Sequence, residues 1–138
     1  MNTDKKKPLI LLLLAALAGA QTPDGVMDLF RTAARALADR DVPLFLEQFD
    51  REMKDYDVLR QRVTLLVAEE GAQSSIEVVR DEGDDKRRQM EIDWLLRVGT
   101  GTPKRRVLKF TVERRGRAWK ITALDAVEFF GASQPAPA

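Results

Sequence analysis

The hydrophobic pattern of the chain changes its period once, near Gly71. Before that residue, apolar side chains recur every three or four positions, which is typical of amphipathic helices. After it, apolar and polar residues alternate, which is typical of strands with one buried face. Because only the helical half is available to cover the apolar face of the strands, the pattern predicts an α+β domain with helices on one side of a sheet.

The first half predicts three helices. The first covers residues 24–38, and its apolar face is formed by Met27, Phe30, Ala34 and Leu37. Asp41 is placed to cap a second, short helix, since Pro43 falls in its first turn, where a missing N–H costs little. A third helix begins near Asp55 and ends before Gly71, which is expected to supply a left-handed stop. Its apolar stripe contains Tyr56, Leu59, Val63, Leu66 and Val67.

The second half predicts four strands of an antiparallel meander. The apolar positions of the successive strands are Ile76 and Val78; Met90, Ile92, Trp94, Leu96 and Val98; Leu108, Phe110 and Val112; and Trp119, Ile121, Ala123 and Val127. Gly-containing turn segments separate them at 82–84, 99–103 and 115–116. We therefore expect three N-terminal helices packed on the concave side of a curved four-stranded sheet.

Two stretches resemble a known superfamily. The segments "ALADRDVPLFLEQFD", residues 36–50, and "RGRAWKITALDAVEFF", residues 115–130, are similar to the second-helix region and the final hairpin of nuclear transport factor 2-like proteins. That resemblance implies a cone-shaped, cystatin-like α+β fold. The superfamily includes isomerases, dehydratases, polyketide cyclases and dimeric binding modules, so the resemblance constrains the fold more than the function.

The first twenty residues have the pattern of an export signal. Lys5-Lys6-Lys7 forms a basic head, residues 9–17 form a Leu/Ala run, and Ala18-Gly19-Ala20 provides the small residues that a signal peptidase reads. The apolar run is shorter than the roughly 20 residues that a membrane span needs. We expect a signal peptide over 1–20, with an uncleaved anchor as the alternative, and a periplasmic or extracellular protein with no membrane span after leader removal. The domain is then 21–130, and 131–138, with Pro135 and Pro137, is expected to be a disordered tail.

Composition excludes several classes of chemistry. The leader contains three of the 23 Lys/Arg and one of the 22 Asp/Glu, so the rest of the chain has a formal net charge of −1, which argues against nucleic-acid binding. The chain contains no Cys and no His, so thiol or imidazole catalysis and zinc sites of Cys/His type are impossible. No cofactor and no metal site is predicted. An acidic cluster at Asp81, Glu82, Asp84 and Asp85 does not have the spacing of an EF-hand loop.

Candidate catalytic residues are Asp125 and Tyr56. Asp125 alternates in phase with Trp119 and Ile121, so it is expected to point to the apolar face, and Tyr56 lies on the apolar stripe of the third helix. The resemblance implies a pocket carboxylate as base and a tyrosine as hydrogen-bond donor. The alternative is structural: an acid at the wet end of a strand and a core tyrosine whose hydroxyl reaches water.

Two further sets of residues are candidates for binding. Trp94, Phe110 and Trp119 are expected either to line a ligand pocket or to fill the core. In a meander, the first and third hairpin turns lie at the same end of the sheet, which predicts an anion patch of Lys86, Arg87, Arg88, Arg114, Arg115 and Arg117. The alternative is that these are polar turns that keep the sheet soluble.

The sequence thus favours an exported binding or interaction module without catalytic activity, whose ligand or protein partner it does not identify. A homodimer through the outer face of the sheet is also expected. The alternative is a small-molecule isomerase or lyase that uses Asp125 as a carboxylate base in the cone cavity.

Overall fold

A computed structural model describes residues 22–132 of the 138-residue chain. Its elements are α1 (Asp24–Ala38), α2 (Val42–Glu47), α3 (Tyr56–Leu66), β1 (Ala72–Gly83), β2 (Arg87–Val98), β3 (Lys104–Arg115), β4 (Ala118–Leu124) and a 3-10 helix (Val127–Phe130). The sheet order is β1-β2-β3-β4, and each neighbouring pair is antiparallel. The predicted α+β architecture, with three helices before a four-stranded meander, is confirmed.

The predicted signal peptide and most of the predicted tail, residues 133–138, lie outside the described residues. Across residues 22–132, none of the helices combines the length and the apolar character that crossing a membrane requires.

The capping prediction for α2 is confirmed. The Asp41 carboxylate accepts a hydrogen bond from the backbone N–H of Leu44 at 3.1 Å, and a proline occupies the first turn. This interaction satisfies one of the free donors at the helix start. The short helix therefore begins where the sequence indicates.

The prediction that Gly71 is a left-handed helix stop is wrong. The helix α3 ends at Leu66, and Gly71 is not among the glycines with positive φ. A Cβ atom at Gly71 would lie 2.1 Å from the carbonyl oxygen of Ala38, so glycine is required there by a close backbone approach. The end of α3 is instead stabilised by Arg40, whose Nε donates to the Val67 carbonyl at 2.8 Å.

The interior between helices and sheet is occupied by aromatic side chains. The ring centroids of Trp94 and Phe130 are 5.0 Å apart, those of Phe45 and Phe130 are 5.4 Å apart, and those of Phe30 and Phe110 are 5.0 Å apart. All five residues are at most 2% exposed. The 3-10 helix after β4 thus places Phe130 in the centre of the core, where edge-on ring contacts stabilise the packing.

The chain after α2 covers the free edge of β4. Phe49 forms a parallel bridge with Ile121, the N–H of Asp50 donates to the Ile121 carbonyl at 2.8 Å, and the N–H of Ile121 donates to Gln48 at 2.8 Å. Pairing of this kind protects an exposed strand edge from association with other chains. It also fixes the position of the segment that follows α2.

The predicted phase of β4 is wrong at its end. Val112 pairs with Ile121 but Thr111 pairs with Ala123, so one extra residue is inserted in β4 as a bulge. A bulge reverses the inward and outward faces beyond it. As a result Leu124 is buried, whereas Ala123 and Asp125 are exposed instead of facing the apolar side.

Candidate functional site

An open groove of about 970 Å³ lies between α2, α3 and the end of the sheet formed by β3 and β4. It is lined by Val42, Pro43, Leu46, Glu47, Phe49, Asp50, Arg51, Tyr56, Arg60, Thr64, Arg115 and Lys120. The covered edge of β4 brings Phe49 and Asp50 beside Lys120, so segments distant in sequence meet in one groove. Its volume is within the range of small-molecule sites.

The groove combines apolar and cationic surfaces. Its apolar lining consists of Val42, Pro43, Leu46 and Phe49, together with the ring of half-buried Tyr56. Its charged lining has four cations, Arg51, Arg60, Arg115 and Lys120, against the two carboxylates Glu47 and Asp50. This arrangement favours a ligand that has an apolar body and a negative charge.

The carboxylate of Asp50 is held in its ionised form. The backbone N–H of Glu52, which donates to it at 2.8 Å, is the largest factor that lowers its pKa below the usual value; partial burial opposes this shift. Arg115 donates to the other carboxylate oxygen at 2.9 Å and lowers the pKa further. A carboxylate with a lowered pKa is a weak base, so Asp50 is better suited to orienting Arg115 than to removing a proton.

Two other cations of the groove, Lys120 and Arg60, have local partners. Lys120 donates to the Glu47 carbonyl, and Arg60 forms an exposed ion pair with Asp57, one turn earlier on α3, at 3.2 Å. Exposed pairs of this kind contribute only about 0 to 1 kcal/mol. The Arg60 side chain can therefore exchange this partner for a ligand at small cost.

The two predicted catalytic residues lie in different surroundings. Tyr56 is half-buried and lines the groove. Asp125 is exposed, its carboxylate accepts from the N–H of Lys109 at 3.0 Å, and its own N–H donates to the Lys109 carbonyl at 3.2 Å. Asp125 is not among the residues that line the groove, so the groove does not bring a base at Asp125 to Tyr56.

The predicted pocket residues Trp94 and Phe110 are core residues in the structure. They are 1% and 2% exposed, and the indole N–H of Trp94 donates to the Ser74 hydroxyl at 2.9 Å. Trp119 is half-buried beside α1, where its Cδ1 would be 3.1 Å from a Cβ at Gly25. None of the three aromatic residues lines the groove.

The predicted anion patch is divided in the structure. The two turns do lie together, since the N–H of Arg114 donates to the Lys86 carbonyl at 2.8 Å. The side chains exposed there are Lys86, Arg87, Arg114 and Arg117. Arg115 also reaches solvent, but it points to Asp50 at the groove.

The inclusion of Arg88 in the exposed patch is wrong. Arg88 is in phase with the inward-facing Met90, is 3% exposed, and its Nε donates to the Asp81 carboxylate at 2.7 Å. A second guanidinium nitrogen donates to the Asp84 carbonyl at 2.8 Å, and the Thr22 hydroxyl also donates to Asp81. Arg88 is therefore part of the buried structure at this end of the sheet.

The acidic turn is held by its own hydrogen bonds. The Asp84 carboxylate accepts from the N–H groups of Lys86 and Arg87 at 2.9 Å each, and these two bonds lower its pKa. Glu82 pairs with Arg80 at 2.7 Å. Within residues 22–132, no group of three or more acidic side chains is arranged to hold a metal ion.

The fold has relatives among solved structures. An NTF-2-like protein of unknown function from Shewanella oneidensis superposes with a TM-score of 0.65 at 11% identity, over 73% of this chain and 94% of that chain. Bd1075 of Bdellovibrio bacteriovorus gives 0.64 at 10% identity, over 72% of this chain but only 39% of that one. A Nostoc punctiforme domain with a cystatin-like fold gives 0.57 at 13% identity, over 72% of each chain.

No protein-family model matches the chain, and no curated protein sequence matches it. The structural neighbours nevertheless agree with the resemblance noted in residues 36–50 and 115–130. The chain has the nuclear transport factor 2-like fold, also called cystatin-like. Because sequence identity to these neighbours is low, the similarity establishes the fold alone.

Proposed function

We propose that the protein is an exported binding module without catalytic activity, and that its ligand occupies the groove between α2 and α3. The observation that supports this proposal is the combination of an open groove of about 970 Å³, lined by both apolar and cationic side chains, with an aromatic core behind it. The ligand class is an amphipathic anion, meaning an apolar group that carries a carboxylate, sulfonate or phosphate.

The chemistry of the groove favours binding over proton transfer. Asp50, the acid of the groove that pairs with Arg115, has a lowered pKa and is therefore a weak base. The alternative, an isomerase or lyase with Asp125 as base, requires that residue in an apolar cavity, whereas its side chain is exposed and bonded to the backbone of Lys109. A binding role for Tyr56, with its ring against the ligand, needs no base.

Export and dimerisation stay predictions. Export follows from the sequence pattern of residues 1–20, which lie outside the described residues. The outer face of the sheet carries the exposed apolar side chains Val79, Leu95 and Val107, which are 50%, 39% and 43% exposed. Such a face is suited to a second copy of the chain, and sedimentation velocity at several concentrations measures whether a dimer forms.

A charge reversal at Arg60 is expected to weaken binding of a model ligand in the groove. We choose anilinonaphthalene sulfonate, which has an apolar body and one negative charge, as the probe in a fluorescence titration. Arg60→Glu should weaken its affinity about two- to fivefold, as expected for one partly exposed charge. The effect should diminish as salt is added, because ions screen exposed charges.

Arg31→Glu is the matched control. Arg31 is exposed on α1, pairs with Asp28 at 3.3 Å with the same i,i+3 spacing as the Arg60 pair, and does not line the groove. Arg31→Glu changes the net charge of the protein by the same amount as Arg60→Glu. Equal losses of affinity in the two variants would show that the probe senses overall charge, and the assignment of the groove would then be withdrawn.

A further inference from the structure

Two partly buried cations, Lys104 and Arg62, lie at the end of the sheet opposite the β1–β2 and β3–β4 turns. Lys104 begins β3 and is half-buried. Its Nζ donates to the Gly131 carbonyl at 2.6 Å and lies 5.2 Å from the ring centroid of Phe129. These contacts fix the amine against the segment that follows the 3-10 helix.

Arg62 approaches the same segment from α3. Its Nη1 would lie 3.2 Å, and its Cδ 3.3 Å, from a Cβ placed on Gly131. The Nε atom of Arg62 is buried and has no hydrogen-bond partner. A buried N–H donor without an acceptor destabilises the structure locally.

The two cations have no neutralising acid in the part of the chain that the structure describes. None of the ion pairs formed among residues 22–132 includes Lys104 or Arg62. Burial, and then the positive charge of Arg62, lower the pKa of Lys104 below its usual value. The site therefore lacks a negative charge that would stabilise both side chains.

Lys104 is one of the residues that line a cavity of about 330 Å³. Its walls are mainly apolar, with Leu66 of α3, Leu96 and Val98 of β2, and Ala132 after the 3-10 helix. The β2–β3 loop adds Gly101 and Thr102. The cavity is thus suited to a short hydrocarbon group with its charged end at Lys104.

We propose that this cavity is a binding site for a small aliphatic carboxylate, whose oxygens accept hydrogen bonds from Lys104 while its hydrocarbon chain fills the apolar part. A carboxylate supplies the missing negative charge. Arg62 does not line the cavity, and it contributes only through its positive charge, which acts on Lys104. Phosphate or sulfate would neutralise the charge but would leave the apolar walls unfilled. The site is separate from the groove, since the two share no lining residue.

Hexanoate is the probe for calorimetric titration, with hexanamide as the uncharged ligand of equal chain length. We expect hexanoate to bind and hexanamide to bind at least about tenfold more weakly, because hydrogen bonds to charged groups dominate recognition. Lys104→Met should reduce the hexanoate affinity by at least about tenfold. Lys109→Met is the matched control, because Lys109 is an exposed lysine on the same strand and should leave affinity unchanged.

A second measurement uses the unsubstituted protein and does not depend on the folding of a variant. The NMR titration of the Lys104 ε-carbon reports its pKa, which hexanoate should raise and hexanamide should not, because a bound anion favours the charged amine. Arg62→Met should raise the pKa of Lys104 without ligand. Equal binding of hexanoate and hexanamide, no binding of hexanoate, or a Lys104 pKa unchanged by hexanoate would overturn the proposal.

Discussion

Replacing Phe130 by alanine is expected to lower the free energy of unfolding by about 3–5 kcal/mol, the range for deleting a buried aromatic ring. Phe130 is fully buried, and its ring contacts those of Trp94 and Phe45 with centroids 5.0 Å and 5.4 Å away. Its removal leaves a cavity in the middle of the core, where the rigid sheet and helices cannot collapse around it. Equilibrium unfolding in urea measures the loss.

Leu65→Ala is the control for this substitution. Leu65 is 68% exposed on α3, so its truncation should change stability by no more than about 0.5 kcal/mol. If Phe130→Ala lowered the free energy of unfolding no more than Leu65→Ala does, the 3-10 helix would not close the core. The space between helices and sheet would then be an accessible cavity instead of a packed interior.

The second large effect is expected at the buried ion pair. Asp81→Asn should destabilise the fold by about 3–5 kcal/mol, because it removes the charged partner of a guanidinium that is itself buried. The Arg88 and Asp81 side chains are only 4% and 9% exposed, and their N–O distance is 2.7 Å. Thermal and urea unfolding of the variant measure the effect.

Asp93→Asn tests whether the burial of an ion pair or its N–O distance determines how much stability is lost when the pair is broken. Asp93 pairs with Arg105 at 2.6 Å on the outer face of the same sheet, but the Arg105 side chain is 66% exposed. Because water screens that pair, its loss should cost no more than about 1 kcal/mol. Comparable losses in the two asparagine variants would contradict the account of Arg88 as a buried, structurally paired charge.

The fold was predictable because its two halves differ in hydrophobic period. The pattern placed α1 correctly, since the predicted range 24–38 and the observed helix coincide. It also identified Asp41 as a cap, because capping depends on residues that are adjacent in sequence. Signals of this kind depend only on residues that are near in sequence, so they can be recognised without knowledge of the tertiary structure.

The errors arise where a distant contact or an inserted residue decides the result. The bulge in β4, opposite Thr111 and Val112 of β3, reverses the phase of β4, and simple alternation therefore placed Asp125 on the wrong face. Gly71 matches a helix stop in sequence, but its actual constraint is the Ala38 carbonyl, which only the tertiary structure brings near. Arg88, in contrast, alternates with Met90 and Ile92, so its burial was readable from the sequence.

The groove was not predictable from the sequence, although two of its residues, Tyr56 and Arg115, were candidates for other sites. Its walls come from α2, α3 and the β3–β4 end of the sheet, and the pairing of Phe49 with Ile121 brings these elements together. No motif indicates that pairing. The same is true of Lys104 and Arg62, which meet only because Gly131 lies between α3 and the start of β3.

The most direct test of the central claim is a methyl NMR titration with anilinonaphthalene sulfonate, which distinguishes the groove from the interior of the fold. We predict chemical-shift changes at the methyl groups of Val42 and Leu46, which line the groove, and none at those of Ile92 and Leu108, which are fully buried in the core. Changes at Ile92 and Leu108 with Val42 and Leu46 unaffected would show that ligands enter the cone, and would contradict this account.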